Sequence, residues 1–248
     1  MNKHLFNIIF LVLGLAVCFF LGNSAPLYCW GLVVVVFLTF LFCGVFEIRF
    51  NYFIISQNKV SSDKIILSFD DGPNSATREI MGVLKKHNVG AVFFLVGVNI
   101  EAEGEIFKEL AKDGYVLGNH SYSHSNKFAL MSSLKILEEL EKTEGLLRGH
   151  TKKLFRPPFG ITSPPMRRAI KKSGLKSIGW SLRSLDTLIV DNNKLIGKVL
   201  RKAQGGDILL LHDEGICTAA CLDEMIIRLK SSGKSLANNE DIVRLLHV

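Results

Sequence analysis

From Leu5 to Phe46 the chain carries no Asp, Glu, Lys or Arg. An uncharged apolar run of that length is long enough for two membrane-crossing helices of roughly 20 residues each. Gly22-Asn23-Ser24-Ala25-Pro26 divides it with turn-forming residues. The expected helices run over 5–21 and 27–46, with Tyr28 and Trp30 near an interface, where amphipathic rings are favoured. A cleavable leader ending near Ala25 is the rival reading, and it would still leave the second stretch as an anchor. On this division, residues 1–49 are the anchor, 50–62 a connector and 63–248 the catalytic-type domain. Lys3 and His4 precede the first span, and Arg49 and Lys59 follow the second. The positive-inside rule then places both ends in the cytoplasm.

The net charge of +7 is spread along the soluble part in short pairs such as Lys85-Lys86, Arg167-Arg168 and Lys171-Lys172. Such pairs suit solvated helix faces, anionic headgroups or a phosphate-bearing substrate. No aromatic residues are interleaved with them as a single-stranded nucleic-acid groove requires, so nucleic acid is not an expected partner. Of the five cysteines, Cys18, Cys29 and Cys43 lie in or beside the spans. Cys217 and Cys221, at i and i+4, suit packing on one helix face better than a bridge, and no disulfide framework is present.

The soluble part alternates between two periods. Apolar strand-like runs at 64–69, 90–96, 115–117, 154–155, 175–180 and 208–211 are each followed by a helical pattern. The longest amphipathic helix is expected over 130–147, with Leu134, Leu137, Leu140 and Leu147 on its apolar side. Gly90-Ala91-Val92-Phe93-Phe94-Leu95-Val96 reads as a strand buried on both faces. Roughly seven β-α units argue for a parallel α/β architecture, and their regular alternation fits a barrel better than a doubly wound sheet.

Titratable residues recur where these strands run out. The first ends in Ser68-Phe69-Asp70-Asp71-Gly72-Pro73-Asn74, two adjacent carboxylates that repel unless a cation sits beside them. The run at 115–117 leads to His120-Ser121-Tyr122-Ser123-His124. The run at 154–155 leads to Arg156-Pro157-Pro158-Phe159-Gly160, the one at 175–180 to Asp186, and the one at 208–211 to His212-Asp213. His-x3-His is a metal-ligand spacing, because positions i and i+4 of one helical turn point the same way. With one carboxylate it makes a site that leaves coordination positions open.

These motifs, in this order, resemble the polysaccharide deacetylase family of carbohydrate esterases, over residues 63–246. The resemblance implies a distorted (β/α) barrel of about seven strands, preceded here by the pair of transmembrane helices. It implies Asp70 as general base, Asp71, His120 and His124 as metal ligands, and Arg156 as the partner of the base. It further implies that Phe159, where many members carry Tyr, donates its backbone N–H to an oxyanion. His212 stands at the general acid, with Asp186 matching a residue that tunes the catalytic His or Arg. The implied cofactor is a divalent metal, commonly zinc, with cobalt or nickel as alternatives. The stretch Trp180-Ser181-Leu182-Arg183-Ser184-Leu185-Asp186-Thr187 departs from the family pattern. Arg183 stands where an Asp is usual, and Thr187 where a Trp walls the acetyl pocket.

The implied activity is removal of N-acetyl groups from an N-acetylated amino-sugar glycan such as peptidoglycan. Alternatives are a deacetylase or deformylase of a lipid-linked, polyprenyl-phosphate amino sugar, for which Arg183 offers an anion partner, and an O-acetyl esterase. A different class again is an inactive glycan-binding membrane protein. The expected location is a bacterial inner membrane, multi-pass. The family's usual place outside the cytoplasm opposes the charge bias, so the side remains open.

Overall fold

The computed structural model describes residues 3–22, 26–213 and 218–248. Two antiparallel apolar helices, α1 (Lys3–Leu21) and α2 (Leu27–Phe46), come first, and both are long and apolar enough to cross a membrane. Strands and helices then alternate: β1 (Lys64–Asp70), α3 (Ser75–His87), β2 (Ala91–Leu95), α4 (Gly97–Ala102), α5 (Gly104–Lys112) and β3 (Val116–Asn119). They continue with α6 (Ser133–Leu146), β4 (Thr151–Phe155), α7 (Pro164–Ser173), β5 (Lys176–Ser177), β6 (Leu182–Arg183) and α8 (Asn192–Lys202). The chain closes with β7 (Ile208–His212), α9 (Thr218–Ser231), β8 (Ser235–Leu236) and α10 (Asn239–Leu246).

Every paired strand is parallel, in the order β5-β4-β3-β2-β1-β7-β6, with β8 joining β1. The expected barrel-like α/β architecture is therefore observed, as a curled sheet with helices outside. Residues 57–59 span the seam between its edges, where Gln57 pairs with Ile178 and Lys59 with Asp207.

The period of two in β1 and β2 sorts their side chains between two cores. Ile65, Leu67, Phe69, Ala91, Phe93 and Leu95 meet the helical layer of α3, α8 and α9. Ile66, Val92 and Phe94 face inward, where Ile242 and Leu246 of α10 close the floor. The same alternation turns Ser68 and Asp70 inward at the upper end of β1. Local chemistry fixes the helix ends. Asn74 caps α3 in a reciprocal pair with Thr77, at 3.2 and 2.8 Å. Ser163 caps α7, Pro164 fills its first turn, and Gly174 ends it in a left-handed conformation.

Three expectations need correction. Leu134 is exposed, and the buried stripe of α6 is Ile136, Leu137, Leu140 and Thr143. Leu134 precedes Ile136 by two residues, about 200° around an α-helix, and so faces away. The strand expected over 175–180 shortens to β5, because Ile178 pairs with Gln57 rather than extending the ladder. His120 and His124 do not lie on a helix, as their spacing suggested. They flank a loop in which Ser121 (φ 67°) and His124 (φ 47°) are left-handed. Cys221 is buried in α9, whereas Cys217 lies outside the described residues, so the expected Cys217–Cys221 pairing on one face is not described. The dividing turn at 23–25 lies outside them too.

The helical pair is built into the α/β part. Tyr52, Phe53 and Ile54 pack with Phe128, Phe155 and Met166. In α1, the buried Asn7 donates to the Tyr52 hydroxyl at 2.7 Å and to the Phe37 carbonyl at 3.1 Å. At the end of α2, the Thr162 N–H and hydroxyl donate to the carbonyls of Val45 and Gly44, at 2.9 and 2.8 Å.

Candidate active site and metal centre

One cavity of about 210 Å³ lies over the carboxyl ends of the strands. Asp70, Asp71, His120, His124, Phe159, Gly160, Trp180, Arg183, Thr187 and His212 line it together. In parallel α/β folds this is the end where chemistry sits, because the loops there converge from several strands.

Asp70 is held first. Arg156, at the end of β4, is wholly buried and donates to Asp70 Oδ1 at 2.7 Å. The guanidinium also donates to Ser68 Oγ (3.0 Å), the Ile178 carbonyl (3.2 Å) and the Gly179 carbonyl (2.8 Å), and it lies over the Phe94 ring. Burial lowers the Arg156 pKa, and the Asp70 charge opposes that. Asp70 Oδ2 stays on the cavity side, 3.8 Å from His120 Nε2.

Asp71, His120 and His124 form the second group. Their ligand atoms lie within 4.8 Å of one another. His120 donates Nδ1–H to the Arg156 carbonyl at 2.8 Å, which leaves Nε2 as a lone-pair donor toward Asp71. Asp71 Oδ1 is buried without a hydrogen bond, 3.5 Å from His120 Nε2 and 3.2 Å from His124 Nε2. Burial alone would raise the Asp71 pKa, but the His120 imidazole and the charges of His120, His124 and His212 bring it down to about 2. Burial and the His120 charge push the His124 pKa down as well. The group thus offers the Asp71 carboxylate, a His124 imidazole whose protonation burial disfavours, and the His120 Nε2 left open by its Nδ1–H bond. An orphaned buried oxygen aimed at two imidazole nitrogens fits a divalent cation well.

His212 closes the far side. Its Nδ1–H donates to Asp186 Oδ1 at 2.9 Å and its N–H to Asp186 Oδ2 at 2.7 Å, which directs Nε2 into the cavity. Ser184 Oγ also donates to Asp186, at 2.9 Å. Burial works to lower the His212 pKa, yet the Asp186 hydrogen bond and the charges of Asp70, Asp186 and Asp71 raise it overall.

Phe159 has φ 58°, and among the described residues its N–H makes no backbone hydrogen bond. Its ring packs on His124 at 4.7 Å between centroids. Gly160 (φ 70°) follows it beneath the Trp180 ring, which an added Cβ would strike. Gly160→Ala should therefore destabilise the fold by about 2–4 kcal/mol, from left-handed strain plus overpacking. Chemical denaturation of the two proteins checks this.

All eight residues singled out from the sequence thus meet in or beside one cavity. Asp213 and Thr77 were not assigned a place there. The Asp213 N–H donates to the Asp70 carbonyl at 3.0 Å, and its buried carboxyl accepts from the Thr77 hydroxyl beneath Gly72. Burial, with the charges of Asp71 and Asp70 added and the Thr77 bond opposing, pushes the Asp213 pKa up to about 8. Its place directly after His212 was the one available signal.

A curled parallel sheet carries buried Asp–Arg and Asp–His pairs around an Asp-His-His group at its carboxyl end, the place of chemistry in enzymes of the (β/α)-barrel type. A family model described as polysaccharide deacetylase matches residues 57–178. The peptidoglycan-N-acetylglucosamine deacetylase of Bacillus cereus is 33% identical over 180 residues, covering 68% of this chain and 64% of that one. A solved peptidoglycan N-acetylglucosamine deacetylase is similar at a TM-score of 0.66 and 31% identity, over 74% of this chain and 89% of that one. A family-4 carbohydrate esterase pseudoenzyme from Bacillus anthracis is similar at a TM-score of 0.68 and 28% identity, over 77% of this chain and 68% of that one. The chain belongs to the polysaccharide deacetylase family.

Proposed function

We propose that this chain is a membrane-anchored, divalent-metal-dependent hydrolase that removes the N-acetyl group from an amino sugar of a glycan. One observation carries the reading: the Asp71-His120-His124 group shares a cavity with Asp70, held by Arg156, and His212, held by Asp186. The similar structures include both a protein named a deacetylase and one named a pseudoenzyme, so likeness of fold alone does not decide activity. The relatives' names supply the acyl group and the class of sugar. The two apolar helices support the anchor.

Asp71, His120 and His124 would hold the ion, and their mixed oxygen and nitrogen donors suit zinc, with cobalt or nickel as alternatives. Bound there, a divalent ion supplies Lewis-acid polarisation of the acyl oxygen and a lowered pKa for water. Asp70 takes the proton of the attacking water at Oδ2, while Arg156 fixes Oδ1 and so the direction of the free lone pairs. The Phe159 N–H donates to the acyl oxygen as negative charge develops on it. His212, protonated, gives its Nε2 proton to the departing sugar nitrogen. Phe159 and Trp180 exclude water from two sides.

The pH dependence follows from His212. Its pKa is raised, so the proton that the leaving amine needs is retained further into the alkaline range. Asp186→Asn removes the main favourable partner, so the alkaline limb of kcat/KM should move to lower pH. At pH 8 the rate should fall at least roughly tenfold, within the span of general acid–base contributions. The same pair contributes stability that is complete below the ordinary His value of 6.5 and lost as pH rises through the folded value.

The reading is tested by acetate release from N-acetylglucosamine oligomers, using the full chain in neutral detergent with added zinc. Acetate with a matching free amine supports it. Acetate from O-acetylated sugars alone would move the assignment to an esterase.

A further inference from the structure

Beside the catalytic cavity lies a second cleft, of about 700 Å³. Arg49, Lys59, Arg183, Lys198, Arg201 and Lys202 line it, with Asp207 as the one acid in its wall among the described residues. Asp207 is already engaged by Ser181 Oγ at 2.8 Å and the Gln204 N–H at 2.7 Å, with Lys59 at 3.5 Å. Lys198 donates to the carbonyls of Arg183 and Ser184, at 2.9 and 2.7 Å. Arg49 is paired with Glu47 at 2.6 Å, and the Glu47 charge also acts on Arg183. The cations of the cleft nevertheless outnumber these acids, and an excess of one sign on a concave surface favours a ligand of the other.

Arg183 lines both spaces, so the cleft and the catalytic cavity meet at its side chain. In an N-acetylated amino sugar the acylamino group at C2 neighbours the anomeric carbon, which carries any phosphate link. A sugar with its acylamino group at the Asp71-His120-His124 group would have its C1 substituent close by, and Arg183 in the shared wall offers that substituent a cation.

The anchor sets the third condition. The cleft includes Arg49, three residues past the end of α2, while Thr162 ties the loop after Gly160 to the last turn of that helix. Ile48 packs on Trp180, a wall of the cavity. Cleft and cavity thus sit at a fixed short distance from the end of a 20-residue apolar helix. A polyprenyl phosphate holds its phosphate at that level and its sugar just above.

We propose that this cleft is the phosphate subsite of the deacetylase proposed above, and that its substrate is an amino sugar joined through phosphate to a membrane lipid. The reading of the site as a deacetylase supplies the reaction; the cleft supplies the class of substrate. Arg183 grips the phosphate as a two-pronged donor, and Lys198, Arg201 and Lys202 add field.

The test is calorimetric binding to the full chain in neutral detergent with zinc, using N-acetylglucosamine 1-phosphate and the neutral methyl glycoside as probes. The phosphate should bind at least about tenfold tighter, and the advantage should shrink with added salt. In Arg183→Gln/Arg201→Gln the ratio should fall below about threefold. A ratio unchanged in that variant would place the phosphate on the metal and overturn the proposal. Loss of the advantage in nanodiscs rich in phosphatidylglycerol would reassign the cleft to bilayer headgroups and overturn it too. Acetate release, followed in parallel on polyprenyl-phosphate N-acetylglucosamine, separates the two readings. A phosphate preference without acetate would sink the deacetylase and keep the anion subsite. Acetate with equal affinity for both sugars would do the reverse.

Discussion

Asp70→Asn is expected to lower acetate release by about 10²–10⁴-fold, the span of a lost general base. The substitution keeps the shape of the side chain and an oxygen for Arg156, and removes the basicity. It also removes the countercharge of a guanidinium that has no exposure to solvent. Breaking a buried pair in this way typically costs about 3–5 kcal/mol, so the variant should also melt well below the parent. The two effects are separable, because Arg156 keeps Ser68, Ile178, Gly179 and the Phe94 ring. At a temperature where the variant is folded by circular dichroism, it should still bind one zinc and release almost no acetate. A folded variant with parental activity would remove Asp70 from the mechanism.

The second large effect is at the metal. His124→Ala deletes a ligand at the rim of the cavity, where packing losses are small, whereas His120 is buried beneath the Arg156 carbonyl. Loss of an outer partner of a metal site typically costs 10–100-fold in affinity, and loss of a direct ligand should exceed that. Zinc content after dialysis should fall to background, and acetate release with it. The pH dependence has a definite sign. The Asp71 pKa near 2 and the lowered His124 pKa keep these donors unprotonated at neutral pH. Zinc should therefore leave as pH falls and the imidazoles take up protons. Affinity that rises on acidification would contradict this donor set.

The sequence displayed the fold where one local rule decides. The run Ala91–Leu95 could be read as doubly buried because each of its residues is apolar. The site was legible for a related reason: Asp70 and His212 end strands, and Asp71, His120 and Arg156 follow directly on them, where a parallel sheet gathers its chemistry. What escaped depends on distant partners. The His120–His124 pair takes its geometry from two left-handed residues in a loop, not from a helical turn. Strand β6 spans two residues and exists only because β7 pairs with it. Asn7 in α1 reads as an isolated polar residue until Tyr52 appears beside it. Asp213 takes its role from its place under Gly72, and the cations that α8 brings beside Arg183 appear only in the fold.

The most direct measurement is the time course of acetate release during chelation and return of zinc, with the parent protein and Asp70→Asn side by side. The parent should stop when the metal is stripped and recover fully at one zinc per chain. Asp70→Asn should take up the same single zinc and stay silent. Acetate release that survives complete removal of the metal, or that Asp70→Asn sustains at the parental rate, would contradict it.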